Sequence, residues 1–251
     1  MGGASRSEKS RKQAANQRLA AAGITPKQSG PSGGTRIALI VVAAVVVVAG
    51  VIGYFVIHNR QSTTPDYAVA ASGTVVTAGK SDAPVTVDVY EDYLCPVCER
   101  FESRYADDVT AALNDGKIKV NYHSTAILDS LTTPPGYSTL AANAALCAVP
   151  AGIWPAYHKA LYDDQPTEKS AGLTAQQLVQ KGVDLGAKNA DWSSCVTGNG
   201  NAAAIAAATK AAIANPALLT NGQFGTPTIL VGGKKIDLND SKWLSNAIAG
   251  K

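Results

Sequence analysis

The sequence predicts an α/β fold interrupted by a helical insert and preceded by one membrane-crossing helix. Three observations predict it. Ile37 to Ile57 is an uncharged apolar run of 21 residues. Val85 to Tyr90 is a β-branched run that leads into Cys95-Pro96-Val97-Cys98 and then a helical repeat. A second strand-rich segment begins at Pro227, separated from the first by the alanine-rich stretch 136–214.

Charge orders the N-terminal part. The chain has 251 residues and a net charge of +3, but residues 1–36 carry seven Lys/Arg against Glu8 alone, a net of +6 that leaves −3 for the rest. A mildly acidic remainder offers no basic face, which argues against nucleic acid as a partner. Residues 1–36, poor in large apolar side chains, read as a disordered basic cytoplasmic tail. The run 37–57 is long enough to cross a ~30 Å hydrocarbon core as a helix. Arg36 and six further basic residues precede it while only Arg60 follows closely, so the positive-inside bias places the N-terminus in the cytoplasm and residues 58–251 outside. A cleaved signal peptide is the alternative, although its apolar core normally spans only ~7–15 residues. All four cysteines follow the span, which suits an oxidising compartment.

Residues 58–73 read as a polar linker containing Pro65, with the folded domain over 74–251. Val85 to Tyr90 is the first strand. Phe101, Tyr105, Val109 and Leu113 repeat at helical spacing until Asn114-Asp115-Gly116, and Ile118 to Tyr122 is a second strand. The insert, about 136–214, divides into roughly four helices at Pro150, Pro155, Pro166, Gly182 and Gly198. Strand character returns over Pro227–Val231, turns at Gly232-Gly233 and continues from Lys235 to Leu238. A helix over about Ser241–Ala249 closes the domain.

The chemistry lies in the CxxC. At a strand–helix junction the first cysteine meets the unsatisfied N–H groups and the positive end of the helix dipole, which favour a thiolate. Cys95 is therefore the expected nucleophile, Pro96 fits the first turn, and Cys98 sits one turn on as the resolving thiol. Zinc is the main competitor for such a pair, but a second CxxC or a His pair at ligand spacing is absent from the sequence, so no metal is expected. Tyr93 and Leu94, just before Cys95, are candidate exposed contacts for unfolded substrate. His123 and His158 fall in no motif and read as structural or surface residues, while Trp154, Trp192 and Trp243 read as core.

Three motifs in order carry a resemblance: Asp82-Ala83-Pro84-Val85, Asp92-Tyr93-Leu94-Cys95-Pro96-Val97-Cys98, and Phe224-Gly225-Thr226-Pro227-Thr228 with Gly232-Gly233. Together they resemble the DsbA-like branch of the thioredoxin fold, the bacterial DSBA oxidoreductase or thioredoxin_4 group, over most of residues 73–250. Trp154-Pro155-Ala156-Tyr157-His158 and Asp191-Trp192 with Cys195 resemble later family segments. The resemblance implies a thioredoxin fold with an inserted helical domain, and a Thr226–Pro227 cis bond facing the cysteines. Thr226 and Pro227, with Pro96, Val97 and Tyr93, are then the expected substrate contacts. It also favours a structural disulfide between Cys147 and Cys195, two free buried thiols being the alternative. Many relatives carry a buried acid six residues before the first cysteine. Here that position is Val89, which leaves Glu91 and Asp92 as open candidates for relaying protons to Cys98.

The function so implied is a membrane-anchored, extracytoplasmic thiol:disulfide oxidoreductase that introduces disulfides into translocated proteins. It needs no cofactor beyond its redox-active disulfide, and a membrane reoxidase resembling DsbB or vitamin K epoxide reductase regenerates it. A reductase or isomerase, as in cytochrome c maturation, and a non-catalytic thioredoxin-like binding module are the rival readings.

Overall fold

The structure is a computed structural model that describes residues 65–250 together with Ala14, Gln17, Arg18, Ala21 and Gly23. The chain divides into two compact units, Met1–Gln61 and Ser62–Lys251. In the first, residues 14, 17, 18 and 21 are helical and exposed. The rest of the expected tail, the expected membrane helix over 37–57 and the first part of the expected linker lie outside the described residues. Among the described residues no helix is long and apolar enough to cross a membrane.

In the second unit, β1 (Val69–Ser72), β2 (Val75–Gly79), β3 (Val85–Glu91), β4 (Ile118–Ser124), β5 (Thr228–Val231) and β6 (Lys234–Lys235) form one sheet in the order β1-β2-β4-β3-β5-β6. The β-branched run of β3 is central, pairing in parallel with β4 and antiparallel with β5. Parallel neighbours need a long crossover, and helix α1 (Pro96–Asn114) supplies it. Its buried residues, Cys98, Phe101, Tyr105, Val109, Ala112 and Leu113, recur at helical spacing, so one face of α1 closes the core.

Two boundaries differ from expectation. The sheet starts at Val69, inside the stretch read as linker, because β1 is held by backbone pairing to β2 while its side chains stay mostly exposed. No apolar alternation therefore marks it. At the other end β6 is only the Lys234–Lys235 pair, shorter than the strand expected over 235–238. Gly79 ends β2 at φ +100°, where a Cβ would lie 2.8 Å from both the Ile118 carbonyl and Leu113. Glycine lets that strand end approach β4 and α1.

The insert holds five helices, one more than the roughly four expected: α2 (Tyr137–Ala148), α3 (Trp154–Asp163), α4 (Ala175–Asp184), α5 (Trp192–Gly198) and α6 (Ala202–Ala214). Helix α7 (Trp243–Ile248) follows the sheet. Buried alanines 141, 142, 144, 145 and 148 let neighbouring helices approach α2 closely. Asn143, fully buried, donates to the carbonyls of Cys195 and Val196 and accepts from the N–H and side chain of Asn201, tying α2 to α5 and the start of α6. A disulfide joins Cys147 to Cys195. Gly182, read as a helix break, lies inside α4: a Cβ there would sit 2.1 Å from the Trp192 ring, so the glycine makes room for tryptophan.

Candidate active site

The helix carrying the cysteines starts where its sequence allows no earlier start. Cys95 precedes the first helical position with extended backbone (φ −78°, ψ 116°), and Pro96 sits in the first turn, where a missing N–H breaks no bond. The Asp92 carboxylate accepts from the N–H groups of Leu94 (2.9 Å) and Leu128 (3.0 Å), and the Asp92 carbonyl accepts from Cys95 N–H (2.9 Å). Gln165, just after α3, donates from Nε2 to the carbonyls of Tyr93 (3.0 Å) and Cys95 (3.1 Å). The turn that carries the cysteines is thus held by the insert as well as by its own strand.

The two free thiols are chemically unlike. The Cys98 thiol donates to Cys95, and this bond is the main cause that lowers the Cys95 pKa to about 6; Thr226 and the N–H groups of Cys98 and Val97 add to it against the effect of burial. Cys98 is 2% exposed, and burial pushes its pKa well above the usual thiol range, with Cys95 acting in the same direction. At neutral pH the pair is therefore a thiolate beside a thiol. Pro96 and Val97 form the exposed rim, Val97 at 41%. Across from them the Thr226 carbonyl lies 3.2 Å from Cys95 Sγ and accepts from it when Cys95 is protonated, and the Thr226–Pro227 bond is cis.

Cys95, Cys98, Pro96, Val97, Thr226 and Pro227 thus share one place. Tyr93 does not: it is 0% exposed, packed against Tyr162 (centroids 5.1 Å) and His158 (5.7 Å), and Leu94 is equally buried. The expectation that these two side chains are exposed is corrected, because both pack into the core beside the turn that Asp92 holds. Cys147 and Cys195 lie in the insert helices.

Sequence reasoning passed over Gln165, which no motif marks, and the setting of Glu91 and His158. Glu91 has the strand parity of the buried Val87 and Val89, and that was the legible signal. It is 1% exposed, and both its oxygens lie 3.0–3.1 Å from His158 Nε2. Burial works against the His158 charge, but Glu91 and Glu102 outweigh it and hold the imidazole pKa above its usual value. Burial likewise raises Asp92 to about 6, in spite of its hydrogen bonds.

Residues 71–249 match the Thioredoxin_4 family, described as thioredoxin. The chain belongs to this family. Its DsbA-like thioredoxin fold resembles that of MdbA, a thiol-disulfide oxidoreductase from Corynebacterium diphtheriae, with a TM-score of 0.63 at 21% identity over 75% of this chain and 97% of that one. It also resembles reduced DsbA from Mycobacterium tuberculosis (TM-score 0.59, 23% identity, 74% and 91% covered). BdbD from Bacillus subtilis is a third likeness (TM-score 0.58, 22% identity, 69% and 90% covered). In sequence, 179 residues are 30% identical to the serine/threonine-protein kinase PknE of Mycobacterium tuberculosis; the match takes in 69% of this chain but spans only 31% of that relative's length.

Proposed function

We propose that this protein is an extracytoplasmic, membrane-anchored thiol:disulfide oxidoreductase that introduces disulfides into translocated proteins. The observation that carries the reading is the polarity of the two cysteines at one helix start, a stabilised Cys95 thiolate and a shielded Cys98 thiol, facing Thr226–Pro227. Stabilising the thiolate favours the dithiol form, so the Cys95–Cys98 disulfide is the oxidant. A substrate thiolate attacks Cys95 Sγ, the Cys95–Cys98 bond breaks, and Cys98 leaves as a thiolate that takes up a proton. A second substrate thiolate then attacks the substrate sulfur of the mixed disulfide. Cys95 departs as the favoured thiolate, the substrate has lost two electrons, and the protein holds two more.

The exposed Pro96-Val97 rim and the Thr226 backbone receive an extended segment of folding substrate, and main-chain pairing at Thr226 suits partners of many sequences. The reaction needs no cofactor beyond the redox-active disulfide. A membrane reoxidase resembling DsbB or vitamin K epoxide reductase returns the dithiol to the disulfide. The charge asymmetry around 37–57 supports the anchor and the external placement of the domain. Relatives that bear the names of thiol-disulfide oxidoreductases support the same activity.

The test is oxidative folding of a reduced, multi-cysteine substrate by the oxidised protein, with Cys98→Ser to trap intermediates. Expected are stoichiometric disulfide transfer and mixed disulfides through Cys95. Transfer absent with the wild type would reject the activity, and a potential as low as that of thioredoxin, measured against glutathione, would instead assign a reductase.

A further inference from the structure

Glu91 at the end of β3 and His158 of α3 are almost wholly buried, 1% and 5% exposed, and bonded to each other. Glu102 of α1 brings a third donor, so that one ligand atom from each residue lies within 4.8 Å of the other two. The Glu91–His158 bond accounts for itself. The Glu102 carboxylate does not: no hydrogen-bond donor meets it among the described residues. Two carboxylates face a single imidazole, and Lys159, the other cation beside Glu102, is an exposed side chain paired with Asp163. Burial, with the Glu91 carboxylate beside it, makes the charged form of Glu102 costly.

A second observation points inward to the same spot. The hydroxyl of Tyr162, a residue 3% exposed, has no hydrogen-bond partner, and Glu91 is the charge that acts most strongly on it. The Trp154 ring stacks on His158 at 4.7 Å. A cleft of about 270 Å³, lined by Pro65, Tyr67, Glu102, Trp154, His158 and Lys159, leads in from the surface.

We propose that Glu91, Glu102 and His158 form a site for a divalent transition-metal cation, zinc foremost, at the inner end of this cleft. One imidazole nitrogen with carboxylate oxygens is a borderline donor set, which suits zinc and, more weakly, manganese, and is too small a set of oxygens for calcium. At metal–ligand distances of ~2.0–2.2 Å, tetrahedral donors stand about 3.4 Å apart. The Glu91–His158 pair is already inside that spacing, and Glu102 reaches it by a side-chain shift of the order of 1 Å. A water from the cleft completes the coordination, and the Tyr162 hydroxyl donates to the bound carboxylate or water. The site is separate from the cysteines, so the reading stands whichever way the redox pair works.

The experiment uses the full chain, stripped with chelator and with Cys95–Cys98 oxidised so that the thiols bind nothing. Zinc, then manganese, is titrated by equilibrium dialysis with elemental analysis, and the bound zinc is examined by X-ray absorption. One equivalent of zinc with nitrogen and oxygen neighbours is expected. Affinity falls tenfold or more in Glu102→Gln and in His158→Gln. Glu102→Gln keeps the test decisive if His158→Gln does not fold, since Glu102 is incompletely buried. No stoichiometric zinc, unchanged affinity in folded Glu102→Gln, or sulfur among the neighbours would each overturn the site.

Discussion

The Sγ of Cys95 lies 3.2 Å from the carbonyl oxygen of Thr226, across a sequence separation of 131. The contact joins the helix start to the segment before β5, and it sets a thiol of lowered pKa beside the Thr226 main chain.

Alkylation should read the polarity directly. With the Cys95 pKa lowered from 9.0 to about 6 and that of Cys98 raised, labelling of reduced protein by iodoacetamide should follow one titration near pH 6, at Cys95 alone. Stability follows by linkage. A depressed folded pKa contributes stability that is complete above the unfolded value and is lost as pH falls through the folded one, so the dithiol form should gain urea resistance between about pH 6 and pH 9. The disulfide form, which has no thiol to titrate there, should not. Equal slopes for the two forms would contradict the assignment.

Val97 is exposed between the cysteines and brings no charge. Val97→Lys should lower the Cys95 pKa further, by about one unit, equivalent to ~1.4 kcal/mol or ~30 mV toward a more oxidising potential. Glutathione equilibration measures it, and an unchanged or more reducing potential would mean that the thiolate does not feel position 97.

Gln165 is the insert's hold on the turn that carries Cys95. Gln165→Ala should cost about 1 kcal/mol for its lost hydrogen bonds and slow disulfide transfer more than it alters the Cys95 titration. Comparing turnover with the alkylation profile separates a positioning role from a direct effect on the thiolate.

Gly182→Ala puts a methyl of α4 2.1 Å from the Trp192 ring of α5, so the two helices must shift apart or the ring must move. Overpacking of this kind should destabilise the fold by ~2 kcal/mol or more in urea denaturation, with the Cys95 titration unchanged. A neutral result would show that α4 and α5 slide freely.

The Cys147–Cys195 disulfide closes a loop with a sequence separation of 48. Replacing both cysteines by alanine should cost ~4 kcal/mol on the chain-entropy account. Graded reduction followed by mass spectrometry should open Cys95–Cys98 first, because structural disulfides hold the lower potentials. The reverse order would assign the catalytic role elsewhere.

What the sequence alone determined is local: the β-branched strand ending at the CxxC, the proline that starts α1 at the cysteines, the helical face from Phe101 to Leu113, and the motifs that carry the family resemblance. These are legible because period and capping act between residues close along the chain. Tertiary structure decided what depends on partners distant in sequence. Strand β1 exists through its pairing with β2, Gly182 through the Trp192 ring, and Gln165 through carbonyls some seventy residues away. Tyr93 looked available for substrate and is buried, while His158 looked incidental and meets Glu91 and Glu102 in the interior. The reason is physical: burial and charge are properties of a place, and residues 91, 102 and 158 acquire theirs only when strand β3, helix α1 and helix α3 are packed together.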